Sequence, residues 1–309
     1  MKYFLSLTAM AAVASATTGI MLPIYRYPIG EGKPDWDAVI QAATDHPKLP
    51  FYIVVDNNKG APYDKNPPEN LVDWAAALGA LNPKDNVFTL GYISTNHSTR
   101  TLADVERGID QYAAWTTQAG WDGVVADVSL DGIFFDEIET NPSRLSYNKN
   151  ISTYARSTLS ARNRTTPTVV VLNPGVPVQS GSESLFDLVD AIVQIETCHA
   201  PLSAAGGATD DGIPRCPVNG YTPFSSSSLN VISSQYASKS SVLVHDYYES
   251  WTPYVPGSEA SLEADVKAII DKKVHSFYIT QYGYNANFTE APASITNVAR
   301  LAAQDQGLA

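Results

Sequence analysis

A chain of 309 residues, 44% hydrophobic and 17% charged, has a globular composition and is long enough for one large α/β domain. Its formal net charge of -12 comes without any stretch rich in Lys or Arg, so the basic footprint of a nucleic-acid-binding protein is missing. The acidic balance suits a neutral or cationic partner, and it is also common among soluble secreted proteins.

The chain opens with Met1-Lys2, an apolar run from Tyr3 to Val13, and the small residues Ala14-Ser15-Ala16. This order of charge, short apolar core and small-x-small site reads as a secretory signal over residues 1–16. The run is too short to span a bilayer, and the last residues do not form a lipid-anchor tail. The expectation is a mature chain, 17–309, that folds outside the cell as one domain. An oxidising compartment would pair the two cysteines, Cys198 and Cys216. Closing that loop is worth about 3 kcal/mol in the chain-entropy view. Two cysteines without histidines at ligand spacing make no zinc cage, so no metal is expected. Asn96, Asn150, Asn163 and Asn287 each head an Asn-x-Ser/Thr triplet, a glycosylation acceptor pattern that also arises by chance.

Gly19 to Tyr25 reads as a first strand, followed by a helix with Trp36, Val39, Ile40 and Ala43 on one face. Phe51–Val55 is the second strand, and Leu71, Trp74, Ala75 and Leu78 repeat at helical spacing. Val87–Ile93 is the third, and Thr101 with Asp104 resembles a capping box before Leu102, Val105, Ile109 and Tyr112. The fourth is Ile133-Phe134-Phe135, entered from Asp131-Gly132 and broken off by Asp136, Glu137 and Glu139. A polar helix is expected over Ser146–Arg162, then strands at Thr168–Leu172 and Ala191–Ile195. A long irregular region carries the cysteines. Strands at Ser241–Val244 and Ser276–Ile279 follow, each with a helical pattern behind it.

About eight β-then-α units emerge, with a spacing of roughly 35 residues. Continuous apolar strands alternating with amphipathic helices imply a parallel sheet covered by helices, and a count near eight favours a single (β/α)8 TIM barrel. No G-x-G-x-x-G follows the first strand and no Walker-type loop occurs, so neither a dinucleotide fold nor a nucleotide cofactor is indicated.

In such a barrel the C-terminal strand ends converge on one face. They carry Tyr25, Arg26, Asn57, Asp136, Glu137, Asn173, Glu196, His245, Tyr247, Gln281 and Tyr282, with Tyr92 inside the third strand. Carboxylates for acid/base work, amides for hydroxyls and aromatic faces for sugar rings are the set a glycosidase uses. Asp136 and Glu137 are adjacent, so in a regular strand they face opposite sides, and both reach the mouth only if the strand ends there. Glu196 closes a strand two positions round, about 10 Å away at ~4.8 Å per strand. That spacing admits the carboxyl separation of either retaining or inverting enzymes. An acidic pair at a strand end can also simply cap a helix or pair with an arginine such as Arg26. His245-Asp246 would suit a Ser-His-Asp hydrolase, but nothing identifies its serine.

With Gly19–Tyr25, Gly91-Tyr92-Ile93, Asp131–Glu137 and Ile195-Glu196, the chain resembles the spherulin-4 family of secreted fungal and slime-mould proteins. The resemblance implies a (β/α)8 barrel, and an activity similar to an endo-acting α-1,4-N-acetylgalactosaminidase on galactosaminogalactan. It carries the family's acidic cleft residues onto Asp136, Glu137 and Glu196. The working hypothesis makes Asp136 the nucleophile and Glu196 the general acid/base, with Glu137 holding substrate or tuning a neighbour, and needs no cofactor. A polysaccharide is the expected partner, with a monomer as the default state. The alternatives are a glycosidase of another linkage preference and a non-catalytic wall or spherulation protein that binds glycan in the same cleft.

Overall fold

The computed structural model describes residues 17–25, 27–30, 33–34, 36–55, 71–160, 168–199, 222–251, 254–283 and 288–308. Eight strands form a closed parallel barrel: β1 (Gly19–Ile24), β2 (Phe51–Val55), β3 (Val87–Ser94), β4 (Gly132–Asp136), β5 (Val169–Asn173), β6 (Ala191–Cys198), β7 (Ser240–His245) and β8 (Ser276–Ile279). Each pairs with the next in chain order, and β8 returns to β1. The strands are continuous apolar runs because side chains pack the barrel interior on one face and helices cover the other. The TIM-barrel expectation is met.

Helices α1 (Asp37–Asp45), α2 (Leu71–Leu81), α3 (Leu102–Ala113) and α4 (Leu145–Ser160) follow the first four strands. A single turn, α5 (Leu185–Leu188), follows β5, while α6 (Glu259–Asp271) and α7 (Ile295–Asp305) follow β7 and β8. Thr101 caps α3 as its pattern predicts, accepting a 3.2 Å hydrogen bond from the Asp104 amide. The β6–β7 crossover departs from a regular unit. Its described residues form only the short 3-10 turns Ser226–Val231 and Ala237–Lys239. Cys198 is buried at the end of β6, and Cys216 lies outside the described residues. None of the described helices is long and apolar enough to cross a membrane.

The short antiparallel pairs outside the barrel were not anticipated from sequence: Ile29–Gly30 with Lys33–Pro34, Tyr248–Trp251 with Tyr254–Pro256, and one between α3 and β4. Thr117–Ala119 and Val125–Asp127 form an antiparallel hairpin between α3 and β4, turning through Gly120 to Val124. Its strands are too short for a period-two pattern to stand out.

Gly132 opens β4 because β4 and β5 lie too close there for a side chain. A Cβ at this position would come within 1.9 Å of the Val169 carbonyl oxygen. Gly132→Ala should therefore lower stability by at least the ~1–3 kcal/mol of an overpacked core, and displace the strand that carries Asp136. Thermal denaturation tests this, and an unchanged melting temperature would mean the strand pair yields freely.

Candidate active site

Register across the barrel assembles the site. Asp136 pairs with Ser94 of β3 on one side and Asn173 of β5 on the other, so three polar side chains lie in one row at the C-terminal mouth. Tyr92 shares the parity of Ser94 one layer below, and its hydroxyl donates to Asp136 Oδ2 at 2.6 Å. The strand ends at Asp136, and Glu137 turns into the left-handed region with φ +55°. That turn breaks the alternation that would have sent Glu137 outward. Its backbone N–H bonds Asp136 Oδ1 at 2.8 Å, and its carboxylate accepts a short hydrogen bond from the Ser94 hydroxyl.

Glu196 reaches the same mouth through a bulge. Ala191 of β6 pairs with Val171, which has the parity of Asn173, so strict alternation from Ala191 would turn Glu196 to the helix side. Against β7, however, Val193 pairs with Ser241 and Ile195 with Val242, leaving Gln194 as an extra residue. A one-residue bulge reverses every later side chain of its strand. It brings Glu196 inward and keeps Asn173 within its reach. β6 also runs two residues past Glu196, so this carboxylate stands inside the strand instead of closing it.

Asn173 joins the two carboxylates. Its Nδ2 donates to Asp136 Oδ1 at 2.8 Å and to Glu196 Oε2 at 2.7 Å, while its Oδ1 accepts the Gly175 N–H at 2.9 Å. The Gly175 amide fixes which end of the amide faces the acids. Gly175 itself has φ +66°, which a residue with a Cβ would adopt only under strain. Two bonds meeting on one nitrogen hold these oxygens no further apart than the sum of 2.8 and 2.7 Å, 5.5 Å.

Electrostatics follow from that proximity. Burial, then the charge of Glu196, push the Asp136 carboxyl up to about 7, against the pull of the Tyr92 and Glu137 hydrogen bonds. Two such acids cannot both ionise freely, so the pair retains a proton close to neutral pH. Because Oδ1 is occupied by two N–H donors, a proton on Asp136 sits on Oδ2, the oxygen that also accepts from the Tyr92 hydroxyl.

The other expected residues divide. Tyr25 is half-buried and packs edge-on against Tyr92, with ring centroids 5.2 Å apart. Tyr282 is half-buried and meets the Tyr248 ring edge-on. His245 is buried against Asp246, with Nδ1 and Oδ2 2.7 Å apart. Tyr247 does not face the cleft as expected. It is fully buried in the barrel wall, with its hydroxyl on Asp265 of α6 at 3.0 Å. Gln281 is likewise committed inward, its Nε2 donating to the Tyr247 carbonyl at 2.6 Å. Arg26 and Asn57 lie outside the described residues, as do Asn163 and Asn287. Asn96 is exposed on the β3–α3 loop, and Asn150 is exposed on α4.

Sequence reading missed Ser94, the residue that follows the third strand as read from sequence and closes it in the structure; its shared parity with Tyr92 was the available signal. It also missed the recess beside Glu196, a cavity of about 220 Å³ bordered by Gly175, Val176, Gln194, Thr222 and Val231. At less than the ~300–1,000 Å³ of a drug-sized site, it is a side recess of the cleft. Among the described residues no group of three or more His, Cys, Asp or Glu side chains could hold a metal ion.

Comparison with known proteins agrees with the barrel fold. The profile of "Spherulation-specific family 4" matches residues 19–302, nearly the whole described barrel. The chain belongs to this spherulin-4 family. Spherulin-4 of Physarum polycephalum is 27% identical over 172 residues, covering 56% of this chain and 43% of that protein. The match thus spans less than half of that relative. The crystal structure of Aspergillus clavatus Sph3 in complex with GalNAc superposes with a TM-score of 0.65 at 20% identity, covering 93% of this chain and 98% of that one. Ostrinia furnacalis Group IV chitinase superposes at 0.53 and 12% identity, covering 94% and 100%. At these identities the two structures establish a shared barrel.

Proposed function

We propose that this spherulin-4 family member is a secreted, endo-acting glycoside hydrolase that cuts an amino-sugar-containing polysaccharide, with galactosaminogalactan the first substrate to test. What carries the reading is the Asn173-bridged pair of Asp136 and Glu196, which shares a proton at the mouth of the barrel. The GalNAc bound by Sph3 supports an amino sugar as the unit recognised. The oxygen separation of at most 5.5 Å, the sum of 2.8 and 2.7 Å, suits the ~5–5.5 Å spacing of retaining enzymes better than the ~6.5–9.5 Å of inverting ones.

We place the proton of the pair on Asp136, the carboxyl that burial and the Glu196 charge push up, and so exchange the two roles first assigned from sequence. Asp136 is the proton donor: its Oδ2 proton passes to the glycosidic oxygen as the C1–O bond breaks. A Glu196 carboxylate oxygen bonds C1 in the same step, giving a glycosyl ester. Once Glu196 is esterified its charge no longer opposes ionisation of Asp136, so Asp136 gives up protons more readily. It is then ready to take one from the water that displaces the ester. Glu137, held by Ser94 and beside Asp136, adds negative charge to the site and offers acceptors to sugar hydroxyls.

Purified protein, incubated with galactosaminogalactan, chitin, chitosan and neutral wall glucans, should release new reducing ends from an amino-sugar polymer and leave the glucans intact. Binding of the polymer without any product would instead make the protein a glycan-binding member of its family.

A further inference from the structure

The hairpin between α3 and β4 climbs α2 toward the barrel mouth. Ala126 lies against Gly79 in the last turns of that helix, so close that a Cβ on Gly79 would meet the Ala126 Cβ at 2.6 Å. Gly120 lies beside Ala75, nearer the helix start, and Trp121 at the hairpin tip bonds Asp73 in the first turn. Because α2 follows the C-terminal end of β2, its first turn lies on the side where the carboxylates open. There Trp121 is 78% exposed, with Val124 and Val125 also exposed beside it.

An exposed Trp is commonly mobile, but this one is pinned. Its indole N–H donates to Asp73 Oδ1 at 2.5 Å, and the Tyr27 hydroxyl makes a short bond to the other oxygen of the same carboxylate. The Tyr27 ring rests edge-on against Trp74, with centroids 5.8 Å apart. Tyr27 stands two residues past Tyr25, which packs on Tyr92, which in turn bonds Asp136. The segment leaving β1 therefore puts one tyrosine against the Tyr92 ring and the next but one against Trp74 and Asp73.

We propose that Trp121 and Tyr27 form a second carbohydrate platform, which stacks a pyranose ring of the polymer outside the catalytic row. The inference rests on the cleft being a polysaccharide site. The indole's one polar group is occupied by Asp73, so its open face offers a partner only a flat apolar surface. Asp73 at the ring edge also leaves carboxylate acceptors near sugar hydroxyls. One indole and two valines are far less than the ~800 Å² per partner that a stable protein interface buries, yet they match a single sugar ring. Pinning removes the ordering cost that a free side chain would meet on binding.

The test uses the full chain carrying Glu196→Gln, so that polymer is bound without being cut, and compares it with the same chain also carrying Trp121→Ala or Trp121→Phe. Affinity for galactosaminogalactan, read by retardation in native gels, should fall roughly five- to tenfold with Trp121→Ala, and Trp121→Phe should recover most of it. In the chain with Glu196 intact, Trp121→Ala should slow cleavage of the polymer far more than cleavage of a short oligosaccharide that does not reach the rim. Equal affinity of all three proteins would overturn the platform while leaving the cleft reading standing. So would a Trp121→Ala effect seen only as lost self-association in sedimentation. If the parent chain neither binds nor cuts any amino-sugar polymer, the cleft reading and the platform fall together.

Discussion

Glu196→Gln and Asp136→Asn should each reduce cleavage of the amino-sugar polymer by about 10²–10⁴-fold or more, the range a positioned acid/base group contributes. Both substitutions keep the size of the side chain and remove one ionisable group, so the folded barrel should survive them. Loss should appear in kcat more than in KM, because the proton transfer and the new bond to C1 belong to the transition state. Glu137→Gln should cost much less, roughly tenfold, since that carboxylate is tied to Ser94 and supports the pair from the side. Single-turnover kinetics on a defined oligosaccharide would check all three. Full activity in both Asp136→Asn and Glu196→Gln would remove the pair from the mechanism.

The second large effect is a pH dependence with a determined direction. Burial and the Glu196 charge push Asp136 up to about 7 in the folded chain, and a proton donor is lost as pH rises through that value. kcat/KM should therefore fall on the alkaline side with an apparent pKa near 7. Tyr92→Phe removes a hydrogen bond that favours the ionised form, so this limb should move to higher pH. Stability should follow the same group. An ordinary Asp ionises near 3.8, so between that value and about 7 the folded state binds a proton the unfolded chain has released. Folding stability is drained across this window as pH rises, and the loss is complete above it. Asp136→Asn cannot ionise, and its amide can keep the Asn173 and Glu137 donors on its oxygen. The variant should melt a few degrees above the parent at pH 8, with the difference gone by about pH 4. A lower melting temperature at pH 8 would show that the charged carboxylate stabilises the fold.

These expectations depend on contacts that only part of the chain announces. The fourth strand was readable from Asp131–Glu137 alone, because an apolar run broken by carboxylates can hardly be buried at its charged end. The eight-unit count and the convergence of Asp136, Asn173 and Glu196 on one face follow from the same alternation of strand and helix. Tyr247 was misplaced for a simple reason. It follows a strand end as the cleft residues do, but the chain turns at Asp246, with φ +52°, and sends its hydroxyl to Asp265.

What the sequence determined by itself was the barrel and which carboxylates stand near its strand ends, since hydrophobic periodicity is a local property that each segment carries unaided. Which way those acids face was decided by tertiary structure. The Gln194 bulge turns Glu196 inward, the left-handed turn at Glu137 keeps it at the mouth, and the Asn173 amide locks the pair together. Each depends on pairing with a neighbouring strand, where a one-residue slip reverses a side chain, and such a slip leaves no mark on composition or spacing. The Trp121 tip is of the same kind, an unremarked tryptophan in sequence that only the packing of its hairpin on α2 carries to the rim.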